Sequence, residues 1–343
     1  MPNNNNNTQE KPVDAKAPIG SIPPKPLTRL ALRLPQNVGG PLIGLALLIL
    51  AFSFTSEYFF SVRNALNILD QVTVLGILAI GMTAVIVIGG IDLSVGSVLA
   101  FSMMLLGWLY QDVGVPMGFA IPLAILGGMV CGLISGTLIA KARLPAFIAT
   151  LTMMSVARGM ANILTDGRQI VGFPDWFTSL ATQRHFGFLS ATVALFLVML
   201  AVAWVYLRFR AGGRSLYAIG GSAEVARLSG IKVKKITLWI YALSGALAGL
   251  AAVAMAARLD SSQPSAGLTL ELDAIAAVVI GGASLSGGVG SIGGTLVGVL
   301  IIGVLRNGLN LLGVSPFVQQ VVIGVVIALA VTLDTLRRRA SQR

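Results

Sequence analysis

Residues 72–111 read VTVLGILAIGMTAVIVIGGIDLSVGSVLAFSMMLLGWLYQ, and Asp92 is the one charged side chain among them. A helix crossing the ~30 Å hydrocarbon core needs roughly 20 mostly apolar residues. This stretch therefore holds two crossings, 72–91 and 93–111, hinged at Gly89-Gly90 and Asp92. The same pattern recurs outward along the chain. Windows free of Asp, Glu, Lys and Arg run 34–56, 113–140, 186–207, 236–257, 274–305 and 307–333, and the run 144–165 is interrupted only by Arg158. Of the 343 residues, 55% are hydrophobic and 11% charged, where a soluble domain carries roughly 25% charged residues. The chain is therefore neither an ordinary soluble enzyme nor disordered. Its single cysteine, Cys131, excludes an intrachain disulfide, and its single histidine, His185, leaves little room for histidine-based metal or acid–base chemistry.

The fold expected is an all-α, polytopic transmembrane helical bundle. The window 274–305 is too long for one span and short for two at ~1.5 Å per residue, and residues 284–291, SLSGGVGS, make a poor helix interior. It is either two short spans or one span with a re-entrant segment. Charge parity bears on the choice. Lys+Arg number 24 against 13 Asp+Glu, a net +11. In a membrane protein such an excess marks cytoplasmic loops rather than nucleic-acid binding. The N-terminal tail carries Lys11, Lys16, Lys25, Arg29 and Arg33, and the C-terminal tail Arg337, Arg338, Arg339 and Arg343. Both termini are thus expected in the cytoplasm, which requires an even number of spans, about ten. That count also puts Lys141, Arg143 and the basic loop 208–235 inside. Residues 1–33, Asn-rich then Pro-rich, read as a disordered tail with no cleavable signal. Residues 34–335 form the transmembrane domain and 336–343 a basic tail.

Two internal patterns stand out. Gly128, Gly132 and Gly136 repeat every four residues, as do Gly290, Gly294 and Gly298, and Gly245 pairs with Gly249. Small residues so spaced let helix backbones approach closely in lipid. Residues 87–97, VIGGIDLSVGS, are echoed at 279–289, VIGGASLSGGV, with seven of eleven positions identical. Paired halves with helices broken near the substrate path are common in transporters. The variable position is Asp92 in one copy and Ser284 in the other. Both residue types suit a helix N-cap. Asp92 therefore either caps the next helix or presents a polar group to a path or gate. In the loop 208–235, Ser222 can cap a short helix over 223–229 that Gly230 ends.

These motifs carry a resemblance. GMTAVIVIGGIDLSVGSVLAF (81–101), LPAFIATL (144–151), GGSAEVARLSGI (220–231) and ARLDSSQPSAGLTLELDAIAAVVIGGASLSGGVGSIGGTLVGVLIIGVLRNGLNLLGVSPFVQQ (257–320) resemble blocks of the sugar-importing ABC permeases, the ribose/xylose/arabinose/galactose permease family. The likeness covers about 38–335. It implies a permease dimer, two copies being the simpler case, in the bilayer of the bacterial inner membrane. A periplasmic sugar-binding protein delivers a monosaccharide, ribose foremost, and a cytoplasmic ATP-binding subunit docks on the loop 208–235. By the same resemblance Glu224, Ala226, Arg227, Gly230 and Ile231 contact the ATPase. Asp92, Ser94, Ser262, Gln263, Asn307, Asn310 and Gln319 are polar candidates for the substrate path or gate, each equally suited to helix–helix hydrogen bonding. The chain itself binds no cofactor, and ATP and Mg belong to the partner. In keeping with that division, no lysine follows a glycine, so the Gly-Lys step of a phosphate-binding loop is absent. The rival is an ion-coupled secondary transporter, which needs a buried titratable relay. Only Arg158, Asp92 and Asp273 offer one. An intramembrane serine hydrolase lacks a base near its serine, because His185 falls in a predicted outer loop.

Overall fold

A computed structural model describes residues 39–341. The expected tail 1–33 lies outside those residues. The helices are α1 (Gly39–Thr55), α2 (Val62–Val87), α3 (Val95–Gln111), α4 (Met117–Ala140), α5 (Ala146–Ile163), α6 (Asp175–Thr182), α7 (Ala191–Phe209), α8 (Ala211–Gly221), α9 (Ala223–Leu228), α10 (Val233–Leu259), α11 (Leu270–Ile280), α12 (Ile292–Leu311) and α13 (Pro316–Ser341). Two residue pairs, β1 (Ile170–Val171) and β2 (Ser261–Ser262), form a minimal antiparallel ladder with Ile170 opposite Ser262. This is an all-α membrane protein. Local signals start most helices. Ser61, Ser190, Ser222 and Ser291 accept a backbone N–H from the first turn of α2, α7, α9 and α12, and Pro116, Pro145 and Pro174 precede α4, α5 and α6.

Among the described residues six helices are long and apolar enough to cross a membrane: α2, α4, α5, α7, α10 and α12. Three apolar helical stretches are shorter, namely α1, α3 and Pro316–Val326. The ambiguous window 274–305 is divided between α11 and α12 by the irregular segment 281–291. At 11 residues, α11 spans ~16 Å, about half the hydrocarbon thickness. Ten crossings are reached only if α1, α3, α11 and α13 cross as well.

The centre of the bundle is α2, whose residues 72–87 are all buried, and α10, which buries most of its length but leaves Leu243 exposed. Side chains of α3, α11 and α12 complete one large apolar core, with Ile77, Met82, Leu99, Met103, Ala251 and Ile302 fully enclosed. By contrast, α5 and α7 keep one flank in contact with it and expose Phe147, Val156, Val198 and Val202. In a membrane protein that is the ordinary lipid-facing side. The glycines lie at the closest helix contacts. On α4, Gly128, Gly132 and Gly136 face Gly245, Tyr241 and Leu238 of α10, and a Cβ on Gly132 would fall on the Tyr241 carbonyl. On α12, Gly294 lies against Gly281 and Gly298 against Ala277 of α11.

Candidate functional site

The hinge after α2 is built by Gly89, which takes a left-handed φ of +79°, and by Asp92. Asp92 is 2% exposed. Its Oδ1 accepts from the Ser94 amide (3.0 Å) and hydroxyl (2.6 Å), and its Oδ2 accepts from the Ser244 hydroxyl of α10 (2.8 Å). The Tyr241 hydroxyl donates to the Ile91 carbonyl (3.3 Å). The N-cap expectation for Asp92 is corrected here. Ser94 holds the cap position of α3, and its side chain makes no capping bond. Ser284 is no cap either, because α12 is capped by Ser291 seven residues on. Both residues instead close a local turn. Ser284 accepts the Ser286 amide (3.1 Å) just as Asp92 accepts that of Ser94. A carboxylate with three donors to two oxygens is stably enclosed, and here it ties the hinge to α10.

The two echo segments meet in space. The Gly288 amide donates to the Val87 carbonyl (2.9 Å), and Thr83 and Thr295 hydroxyls lie 2.7 Å apart between α2 and α12. Against this meeting point sits α8. Within the stretch 208–235, expected to be a basic loop, residues 211–221 form a helix with Leu216 and Ile219 buried. The Tyr217 hydroxyl donates to the Gly290 carbonyl (2.9 Å), and burial pushes its pKa up. A Cβ on Gly220 would strike the Val87 carbonyl and the Gly288 amide. The sequence signal for α8 is the Leu216, Ile219, Gly220 spacing on one helix face, hidden by Gly212, Gly213 and Gly221.

The neighbouring α9 follows the local signals. Ser222 caps it, and its end at Gly230 (φ +85°) returns the Gly230 amide to Arg227 and the Ile231 amide to Ala226. Ala226 is buried. Glu224 and Arg227 pair at 2.6 Å on the exposed side, and that hydrogen bond holds the Glu224 carboxyl below its ordinary pKa. Val225 and Leu228 are also exposed, at 61% and 72%. So α9 presents an unpartnered surface of apolar and charged groups.

At the opposite end of the bundle a cavity of about 160 Å³ opens between α2, α10, α11 and α12. Its polar lining is Gln71, Arg258, Asp273 and Arg306. Asp273 is buried and pairs with Arg306 at 2.5 Å, while the Arg306 Nε has no partner. The sequence did not bring these residues together, since the charges lay at the boundaries of apolar windows, Arg258 after 236–257 and Asp273 and Arg306 on either side of 274–305. Of the expected path residues, Asp92 and Ser94 belong to the hinge, and the other five fall around the same end as the cavity without lining it. Ser262 donates to the Met103 carbonyl (2.6 Å), Gln263 to Ser261 (3.4 Å), Asn307 to Asn64 (2.9 Å), and Gln319 to Asn310 (2.7 Å) and to the Val314 carbonyl (2.9 Å). Arg158 donates to the carbonyls of Pro264 and Ala266. Arg158, Asp92 and Asp273 thus belong to three separate hydrogen-bond groups.

Broken apolar helices, a hinge tied by a buried carboxylate and a polar cavity inside the bundle define a multi-pass membrane permease. Residues 64–331 match the family described as the permease component of the branched-chain amino acid transport system, and the chain belongs to that family. It is 46% identical over 296 residues to the ribose import permease protein of Haemophilus influenzae, covering 85% of this chain and 91% of that protein. To the ribose import permease protein of Bacillus subtilis it is 48% identical over 297 residues, 86% of this chain and 92% of the relative. The fructose import permease protein of Rhizobium meliloti is 36% identical over 310 residues, 88% and 86% of the two chains. No solved structure matches. The chain is a membrane permease of this family.

Proposed function

We propose that this chain is the membrane subunit of a bacterial inner-membrane importer that moves a monosaccharide, ribose foremost, from periplasm to cytoplasm. Residues 34–335 make the permease domain, flanked by cytoplasmic tails 1–33 and 336–343. ATP is hydrolysed with Mg on a separate cytoplasmic subunit. That subunit docks on α9 and the turn after it through Glu224, Arg227, Gly230 and Ile231, while Ala226, expected as a contact, faces inward and seats the helix, and a periplasmic binding protein delivers the sugar to the other face. Two copies pair to form the transporter. Asp92 and Ser94 hold the hinge, and Ser262, Gln263, Asn307, Asn310 and Gln319 frame the outer entrance.

The observation that carries this reading is the position of α8. It joins the exposed α9 to both broken-helix segments, so a push on α9 reaches both hinges through Tyr217 and Gly220. Asp92 bonds to Ser94 and Ser244 and shares no hydrogen bond with Arg158 or Asp273, which favours an ATP-driven mechanism over a proton relay through Asp92. The test is reconstitution into liposomes with the ATP-binding subunit and the ribose-binding protein. ATP-dependent ribose uptake that a proton ionophore does not abolish is expected. Uptake driven by a pH gradient without the ATPase overturns the reading.

A further inference from the structure

A second cavity, about 220 Å³, lies between α7 and α10 on the α8 side of the bundle, and its lining is almost wholly apolar. Its rim is exposed: Val202 at 57%, Tyr206 at 44% and Leu243 at 47%. The slot therefore opens sideways, where the surrounding helices face lipid. Its inner wall is formed by Leu216 of α8 and Ile292, the first residue of α12, both buried. The residues toward its end change character in membrane order. On α10, Lys235, Trp239 and Leu243 follow at four-residue steps along one face, with Lys235 and Trp239 exposed. On α7, Tyr206 is followed by exposed Arg208 and Arg210. Aromatic side chains of this kind gather at the membrane–water interface. Among the described residues, Arg208, Arg210 and Lys235 have no ion-pair partner, and Glu224, the one acid between residues 208 and 235, is engaged by Arg227.

We infer that the slot binds one anionic phospholipid of the leaflet beside α8. An acyl chain lies between α7 and α10, and the phosphate sits among Arg208, Arg210 and Lys235. An apolar slot open to the bilayer interior excludes water and accepts hydrocarbon. Basic groups at the end of such a slot between spanning helices select an anionic headgroup. The part of the acyl chain nearest the headgroup runs beside Leu216 and Ile292, so the lipid supports the seating of α8 on the start of α12. The inference rests on the membrane-spanning reading and is independent of which sugar is carried.

The test uses the full-length protein in nanodiscs of phosphatidylcholine alone or mixed with phosphatidylglycerol, with retained lipid measured by native mass spectrometry after mild detergent extraction and stability by thermal unfolding. Wild type is expected to retain phosphatidylglycerol in preference to phosphatidylcholine and to melt several degrees higher in the mixed disc. Arg210→Glu with Lys235→Glu, changes confined to exposed positions, is expected to reduce phosphatidylglycerol retention to the phosphatidylcholine level without loss of the folded form. Ala203→Phe, which fills the slot, is expected to abolish retention of either lipid. Equal retention of the two lipids by wild type overturns the inference. So does an unchanged preference in the double charge variant, or a disulfide between two copies of Val202→Cys showing that a second chain covers the slot.

Discussion

Gly220→Ala is the sharpest perturbation of the coupling route. The added methyl would overlap the Val87 carbonyl and the Gly288 amide, both backbone atoms that no side-chain rotation can clear. Restoring ordinary contact at 3.5–4.0 Å requires α8 to withdraw by about 1 Å or more. Overpacking of this kind costs ~1–3 kcal/mol. Spent wholly on the docked arrangement of α8, that shifts the docked-to-undocked ratio by about 5- to 150-fold. Gly→Ala also favours a helix by up to ~1 kcal/mol, which would confuse the reading without a control. The adjacent Gly221 supplies it, being also in α8 but with open space around its Cβ position. The assay is ATP-dependent ribose uptake in liposomes beside the ATPase rate of the same preparation. Gly220→Ala is expected to lower uptake severalfold or more while ATP turnover persists, and Gly221→Ala to leave both near wild type. Equal effects of the two variants, or full uptake by Gly220→Ala, would refute a route through α8.

Tyr217→Phe removes the hydrogen bond to Gly290 and is expected to cost ~1 kcal/mol, seen as weakened coupling with little change in melting. Asp273→Asn leaves Arg306 without its counter-charge. The loss is expected to be ~2–3 kcal/mol, below the 3–5 of a fully buried pair because Arg306 is partly exposed, and adding Arg306→Met should recover part of it in thermal unfolding. Glu224→Arg and Gly230→Pro are expected to cut uptake while membrane insertion is retained, as read by uptake and fractionation. Unchanged uptake in both would remove α9 as the docking point. Tags at either terminus are expected to resist protease added outside spheroplasts, and digestion of the C-terminal tag would break the even-span topology.

Legibility in the sequence followed the range of the interactions. The end signals of α9, Ser222 and Gly230, act within a few residues, and the helix forms between them. The helix α8 was hidden because its glycines depress local propensity, and its stability comes from packing Leu216 and Ile219 against distant segments. Asp92 carries the local signature of a cap. The partner that decides its role, Ser244, is 152 residues away.

What the sequence determined alone was the membrane-spanning helical class and the approximate position of most apolar segments, because crossing a bilayer depends on the composition of about 20 consecutive residues; the window boundary at Arg306 falls inside α12. The motifs 81–101 and 257–320 also carried the family, being long runs of specific residues. Tertiary structure alone decided which segments touch. It set the two echoes against each other and against α8, and gathered Gln71, Arg258, Asp273 and Arg306 from four helices into one cavity. It also opened the slot between α7 and α10. The physical reason is that helix pairing in lipid is set by close packing and hydrogen bonds between residues remote in the chain, and a list of apolar windows carries no record of those pairings.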